Sequence, residues 1–192
     1  MATARAYHHG NLREALLEAA ERSLGQGELS LRELAREIGV SHAAPRRHFA
    51  DKQALLDALA EDGFERLGRE LDDAMAAAGG SLRERLGAFA RAYVHFATEH
   101  SALLDLMFAG KHRDETLRAA SNRAFAAPLA LFAGAQASGE IVAGDTERVG
   151  IVALATLQGL ASLANNGMLG DGDLDEIVEE AVDRLVLGLR PR

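Results

Sequence analysis

Apolar residues recur every three or four positions along almost the whole of this 192-residue chain. Such spacing places apolar side chains on one face of a helix, whereas a half-buried strand alternates apolar and polar residues. No stretch shows sustained alternation, and only three prolines interrupt the chain, so long segments are free to form helices. We therefore expect an all-α protein of about nine helices.

Three of the expected helix starts match the capping box, at Asn11, Ser30 and Ser81. In this motif a Ser or Asn side chain accepts a hydrogen bond from the amide three residues later, and a Glu at that position reaches back. Pro128 should kink the seventh helix, because it has no amide hydrogen to donate and its ring clashes with the carbonyl four residues back. The apolar spacing and these signals predict helices at about 12–24, 31–38, 41–49, 51–78, 82–97, 101–108, 114–138, 145–168 and 173–189.

The second and third helices are short and are separated by Gly39-Val40-Ser41, which is typical of a helix-turn-helix. Glycine readily adopts the left-handed backbone that such a turn needs. In this geometry the second helix enters the major groove of DNA with its N-terminal residues at the base edges. Ser41 can cap that helix, and Arg46 and Arg47 supply hydrogen-bond donors.

The charge of the chain is unevenly distributed. The net charge is −8, yet residues 1–55 hold eight Lys or Arg against seven Asp or Glu, so the acidic excess lies in the remainder. A mildly basic N-terminal segment followed by an acidic remainder is typical of a DNA-binding protein whose second domain does not contact DNA. We therefore expect a helix-turn-helix DNA-binding domain at residues 1–54 and a larger helical domain for effector binding and dimerisation at residues 55–192.

Composition narrows the remaining function classes. The absence of cysteine excludes disulfides and thiolate metal sites. Residues 1–10 lack the apolar run of a signal peptide, and the most apolar segment, 149–164, is too short and interrupted for a convincing membrane span. We expect a cytoplasmic protein without membrane association. Nothing in the sequence indicates catalysis, so we expect neither an enzyme nor a metal site, and no cofactor.

The segment Leu31–Phe49, followed by 51–52 and 55–56, resembles the DNA-binding domain of the tetracycline-repressor (TetR) family of transcriptional regulators. Residues 7–10, with the sequence YHHG, are similar to the stretch that precedes the first helix in that family. The resemblance implies a homodimer that binds operator DNA.

The C-terminal part is similar to a ligand domain of the same family, known by a Trp…His-Gly (WHG) motif. The similarity lies in residues 92–97 and 103–108. At the motif itself this chain has Leu154 and Gln158-Gly159.

The family resemblance also implies which residues contact DNA. Arg46 stands where the family usually has tyrosine, and a guanidinium can bind a phosphate through two hydrogen bonds. The positions that match base-facing residues are Arg32, His42, Ala43 and Ala44, and those that match or neighbour phosphate-contacting residues are Ser41, Arg46, Arg47, His48 and Lys52.

Two further sets of residues lie in the second domain. Aromatic and apolar side chains with a few polar ones indicate a ligand pocket between its helices. For most of these residues the sequence favours the alternative, an ordinary core. The candidates are Phe64, Phe89, Tyr93, Phe96, His100, Met107, Phe108, Phe125, Phe132 and Gln158. The last two helices either cover the core of one chain or pair across a two-fold axis. For a dimer interface the candidates are Ala153, Leu157, Leu160, Ala164, Ile177, Ala181 and Leu185.

These features predict a ligand-responsive DNA-binding transcriptional regulator that binds a palindromic operator as a homodimer. Its partners would be double-stranded operator DNA and a small apolar effector that releases it. Repression is the expected outcome, because a dimer on a promoter occludes it. The alternative is a helical small-molecule carrier or adaptor with a vestigial DNA-binding head.

Overall fold

The computed structural model describes residues 12–25, 29–111, 114–170 and 172–191, and these segments contain helices and no strands. This confirms the all-α fold that the apolar spacing predicts. The elements are α1 (Leu12–Ser23), α2 (Leu31–Glu37), a short 3₁₀ turn (Pro45–Arg47), α3 (Lys52–Ala77), α4 (Leu82–Glu99), α5 (Ser101–Gly110), α6 (Glu115–Ala124), α7 (Ala126–Ala137), α8 (Thr146–Asn165) and α9 (Leu174–Leu189).

Side-chain caps lie at two of the three predicted capping boxes. Ser81 forms the full motif: its hydroxyl accepts from the amide of Glu84 at 3.2 Å, and the Glu84 carboxylate accepts from the amide of Ser81 at 3.1 Å. Ser30 accepts from the amide of Glu33 at 3.2 Å, but the Glu33 carboxylate bonds to the Ser30 hydroxyl at 2.9 Å rather than to its amide. The predicted box at Asn11 lies outside the described residues, as do residues 7–10.

The N-terminal elements pack around α1, whose inner face is buried together with Leu34 of α2 and with Phe49. Gly39, directly after α2, has φ of +76°. This is the left-handed backbone expected at the turn, and a side chain there would strain it. The chain therefore reverses where the sequence predicts.

The segment after this turn differs from the prediction. A helix was expected at 41–49 with Ser41 as its cap, whereas the structure forms only the 3₁₀ turn Pro45–Arg47, preceded by Ala44 without a side-chain cap. Pro45 has no amide hydrogen to donate to the carbonyl of Ser41, so that carbonyl accepts instead from Ala44, three residues on, at 2.9 Å. The result is a tighter and shorter element than an α-helix.

The longest helix, α3, runs for 26 residues from the helix-turn-helix into the C-terminal region without a break. Its buried face, which includes Leu55, Leu59, Phe64 and Leu67, packs against α4, α5 and α6, and its N-terminal end contacts α1. It therefore joins the two ends of the molecule by a rigid element.

The expected helix at 114–138 is also different, because it is divided into α6 and α7 at Phe125. The prediction placed a kink at Pro128. Since Pro128 cannot donate to the carbonyl of Ala124, the break falls before the proline, which then occupies the first turn of α7, where free amides are normal.

The C-terminal helices pack in layers, with α4 between α3 on one side and α8 and α9 on the other. Basic groups of α4 pair with carboxylates of α9 along their contact. The pairs are Arg83 with Glu179 (2.6 Å) and with Asp183 (2.8 Å), Arg91 with Glu179, and His95 with Asp175 (2.8 Å).

The outward faces of the last two helices carry apolar side chains in water. Ile151 and Val152 of α8 and Leu187 of α9 are each about 60% exposed, and Leu163 of α8 is 37% exposed. Within the described segments, no helix combines the length and the apolar character needed to span a bilayer.

Candidate functional site

The helix-turn-helix presents a groove of about 620 Å³ between α2, the 3₁₀ turn and the start of α3. We call it the head groove. Four of the residues expected at DNA line it: Arg32, His42, Arg46 and Lys52. Side chains from three separate elements therefore converge on one surface.

The cationic residues at and beside this groove are free of internal partners. Arg32, Arg46, Arg47 and Lys52 are exposed, and none forms an ion pair within the described part of the chain. Each therefore keeps its hydrogen-bond donors available to an external anion.

The other predicted DNA residues are near the groove in sequence but do not line it. Ser41, Ala43 and His48 are exposed, and Ala44 is half-buried. Small side chains beside the turn let its backbone approach a partner closely.

Buried residues hold the turn in place. Pro45 and Phe49 are buried, and the guanidinium of Arg13 lies over the Phe49 ring at 5.7 Å from its centroid. Asp51 caps α3 by accepting from the amide of Ala54 at 2.8 Å. Asp51 and Lys52 both line the groove, so the start of this long helix faces it. The free amides of a helix N-terminus attract phosphate oxygens.

A second concavity lies in the C-terminal region. It has a volume of about 380 Å³ and is bounded by α4, the end of α5, α6, α7 and α8. We call it the α7–α8 cavity. Its lining is mainly apolar, with polar groups at a few points; the residues are Phe89, Lys111, Ser121, Asn122, Phe125, Pro128, Leu129, Phe132, Glu147, Gly150, Ile151 and Leu154.

Three of the predicted pocket residues, Phe89, Phe125 and Phe132, line this cavity. Four others do not: Phe64, Tyr93, Phe96 and Met107 are almost completely buried in the core. The structure therefore places these four in the core and not at the wall of this cavity, whereas Phe89 and Phe132, which are equally buried, do line it.

The polar candidates Tyr93 and Gln158 bond to each other. The Tyr93 hydroxyl donates to the Gln158 side-chain oxygen at 2.5 Å, and burial raises the pKa of that hydroxyl. A buried hydroxyl that has found an amide partner is satisfied without a ligand. This pair therefore ties α4 to α8, and neither residue lines the α7–α8 cavity. Gln158 lines a different concavity, beside Asn165 and Asn166.

His100 belongs to an ionic cluster rather than to the cavity. Its Nδ1 lies 3.0 Å from one oxygen of Glu21, and Arg66 bonds to the other oxygen at 2.6 Å. The cluster joins α1 to α3 and to the junction of α4 and α5, so it connects the DNA-facing end to the C-terminal helices. Phe108, also predicted for the pocket, instead packs edge-on against Phe64 at 5.9 Å.

The predicted dimer residues differ in how far they are buried within the single chain. Ala153 and Leu157 are 3% and 1% exposed within the single chain. In the single chain these two side chains pack in the core, so they present little surface to a partner. The others, Leu160, Ala164, Ile177, Ala181 and Leu185, are half-buried.

Sequence reasoning missed the polar side of the cavity. Lys111 and Ser121 lie in a stretch that offered only helical spacing, and no motif singles them out. One signal was present: Lys111 is one of only two lysines in the chain and follows an apolar run directly. A cation at the end of such a run lies where a helix leaves the core.

Family models match both ends of the chain. Residues 16–59 match bacterial regulatory proteins of the tetR family, and residues 86–185, just over half of the chain, match the tetracyclin repressor-like C-terminal domain. Both descriptions are those of regulatory proteins, not of enzymes.

Solved structures share the fold over almost the whole chain. A protein of unknown function from Rhodococcus sp. RHA1 is 45% identical, with a TM-score of 0.89 over 98% of this chain and 100% of that one. A TetR family transcription regulator from Marinobacter aquaeolei VT8 is 20% identical, with a TM-score of 0.79 over 94% and 96%. The transcriptional regulator FadR from Bacillus subtilis, solved with stearoyl-CoA, is 16% identical, with a TM-score of 0.72 over 92% and 99%. Among curated proteins no match is found.

Proposed function

Because this chain belongs to the TetR family of bacterial regulatory proteins, we propose that it is a ligand-responsive repressor. It binds a palindromic operator as a homodimer and is released by a small, largely apolar effector. The observation that carries the proposal is the head groove, where Arg32, Arg46 and Lys52 converge and form no ion pair within the described residues. Asp51, the acid in the lining of the groove, is engaged in capping α3. Unpaired cations around a helix N-terminus suit the phosphates of a duplex.

The proposed DNA contacts divide into two kinds. Arg46, Arg47 and Lys52, with Ser41 and His48, hold the backbone, which sets affinity and its dependence on salt. Arg32 and His42, beside Ala43 and Ala44, reach the base edges and set specificity.

The proposed dimer uses the outward face of α8 together with α9. Support comes from the exposed apolar side chains Ile151, Val152, Leu163 and Leu187, because apolar patches on a protein surface mark interaction sites. Two copies related by a two-fold axis would present the two 3₁₀ turns to the DNA. Half-sites about 34 Å apart, one turn of the duplex, are expected for such a dimer.

The effector would act from the α7–α8 cavity on the DNA-facing end. The ionic cluster of Glu21, Arg66 and His100 and the continuous helix α3 are the physical links between the two. A molecule that binds one arrangement of the C-terminal helices better than another shifts the position of the heads, and effector and DNA then weaken each other's binding by the same factor.

The remaining features of the proposal concern boundaries and location. We assign residues 1–54 to DNA binding and residues 55–192 to effector binding and dimerisation. A cytoplasmic location follows from the proposed contact with DNA. The resemblance of the C-terminal part to the WHG type remains a prediction.

One observation favours a second candidate, a helical small-molecule carrier with a vestigial head. The segment after Ser41 forms a single 3₁₀ turn, which presents fewer residues to a groove than a helix would. A carrier would bind its ligand normally and show no preference among duplexes.

The deciding experiment is selection from a random pool of duplexes with the purified full chain, at low ionic strength and without added small molecules. We expect enrichment of a palindrome, followed by a gel shift that saturates at two chains per duplex. A pool that remains unenriched would contradict the proposal and favour the carrier.

A further inference from the structure

The α7–α8 cavity has a cation at its wall that lacks a counter-charge. Lys111 follows the last residue of α5, is half-buried and lines the cavity. Its ammonium nitrogen lies 4.7 Å from the centroid of the Phe108 ring. No carboxylate of the described residues pairs with it, and burial lowers the pKa of its ammonium group.

A hydroxyl in the same cavity also lacks a partner. Ser121 is the one buried polar residue in the described segments, at 6% exposure, and its hydroxyl makes no hydrogen bond there. The hydroxyl oxygen is not fully enclosed, so it is open to the cavity that the residue lines. It can donate to an oxygen of a ligand in the cavity.

The one acid of the cavity does not neutralise the lysine. Glu147 is exposed at the start of α8, and within the described segments it forms no ion pair with Lys111. Water and salt screen an exposed carboxylate. Lys111 is the more buried of the two charges, and the enclosed part of the cavity is therefore positive.

Apart from Asn122, an exposed residue of α6, the rest of the wall is apolar. Phe125, Leu129, Phe132 and Leu154 supply most of it. A volume of about 380 Å³ lies at the lower end of the range of small-molecule sites, roughly 300–1,000 Å³. The site therefore suits a ligand of modest size with an apolar body.

We propose that the α7–α8 cavity binds an amphipathic carboxylic acid, with its carboxylate at Lys111 and Ser121 and its apolar chain along Phe125, Phe132 and Leu154. A carboxylate that bonds to an ammonium group in a partly enclosed site forms a hydrogen-bonded ion pair, which neither an uncharged alcohol nor a cationic ammonium head can form. The inference deepens the proposed function, since this acid would be the effector.

The test uses three molecules with the same chain and different heads: decanoate, decan-1-ol and decyltrimethylammonium, each below the concentration at which it forms micelles. Binding to the purified full chain is measured by titration calorimetry. We expect decanoate to bind about tenfold more tightly than the alcohol, and the ammonium compound least tightly. Equal binding of the three, or no binding of any of them, would overturn the inference.

Two variants locate the site. Lys111→Met keeps the apolar stem and removes the charge, so the preference for decanoate over decan-1-ol should disappear while the alcohol still binds. Arg123→Met is the matched control, because it removes a positive charge from an exposed position on α6 outside the cavity. A preference that survives in Lys111→Met, or that disappears equally in Arg123→Met, would also overturn the inference.

Measuring DNA binding in parallel separates this inference from the proposed function. Decanoate binding that depends on Lys111 but leaves DNA affinity unchanged supports the cavity assignment and contradicts ligand responsiveness. Specific DNA binding without any head-group preference supports the regulator and contradicts the cavity assignment.

Discussion

The helix-turn-helix end (the head) and the C-terminal helices (the body) differ in which side chains lack a partner within the described residues. At the head, cations such as Arg46 and Lys52 form no ion pairs within the described residues. In the body, Arg83 and Arg91 are paired with acids of α9, whereas apolar side chains such as Val152 are exposed. The unpaired cations of the head suit a polyanion. The exposed apolar face of α8 suits another apolar surface.

The largest effect is expected where the exposed face of the body is given a charge. Val152→Asp would bury an unpaired carboxylate in the proposed interface and weaken the dimer by about 3 kcal/mol or more. Sedimentation velocity should show a monomer with an unchanged helical spectrum. The control is Ala119→Asp, which places the same charge on an exposed position of α6; a dimer that persists in Val152→Asp would move the interface elsewhere.

The next effect concerns the head. Replacing Arg46 and Arg47 together by Ala should lower affinity for the selected duplex about tenfold or more and reduce its salt dependence by about two charges per subunit. Gel shifts over a range of salt concentrations give both quantities. Arg118→Ala, an exposed arginine that is paired with Glu115, should change neither. An unchanged salt slope in the double variant would remove these arginines from the interface.

A smaller effect is expected at the link between the two regions. Glu21→Gln removes the charge that holds Arg66 and His100. The reduction of DNA affinity by decanoate should become about two- to fivefold weaker, since partly exposed pairs contribute modestly. Glu18→Gln, an exposed position one turn earlier on α1, serves as the control. Full response in Glu21→Gln would show that coupling runs through α3 alone.

The smallest effect concerns the paired charges of the body. The hydrogen bond from Arg83 lowers the pKa of Asp183. A lowered pKa in the folded chain means stabilisation that is present above the ordinary pKa of an aspartate and lost as pH falls through the folded value. Asp183→Asn should therefore lower the melting temperature slightly at about pH 7 and not at about pH 3. Asp72→Asn, an exposed unpaired acid of α3, should show no such difference.

Helical spacing and caps were sufficient to predict most of the fold. The capping box at Ser81 and the apolar spacing of α4, α8 and α9 are local features, and the structure contains these helices close to the expected bounds. Both departures occur at prolines. Pro45 shortens the segment after Ser41 and Pro128 moves the helix break to Phe125, because a missing amide acts on the carbonyl four residues earlier.

The candidate site was only partly predictable, because a residue type does not say which neighbours surround it. The aromatic residues Phe96 and Phe132 have the same apolar character and helical spacing, yet one closes the core and the other faces a cavity. Lys111 becomes informative only when the fold shows that it lines a cavity and forms no ion pair with any acid of the described segments, Glu147 included. Exposure and pairing are properties of the assembled helices, not of any short segment.

The unbroken length of α3 has a mechanical consequence. At 1.5 Å per residue its 26 residues extend for about 39 Å, so it acts as a lever arm. A tilt of about five degrees at the body would displace the far end by about 3 Å, close to the rise of one base pair. In the proposed dimer, such a tilt would bring the two DNA-binding ends out of register with adjacent turns of a duplex.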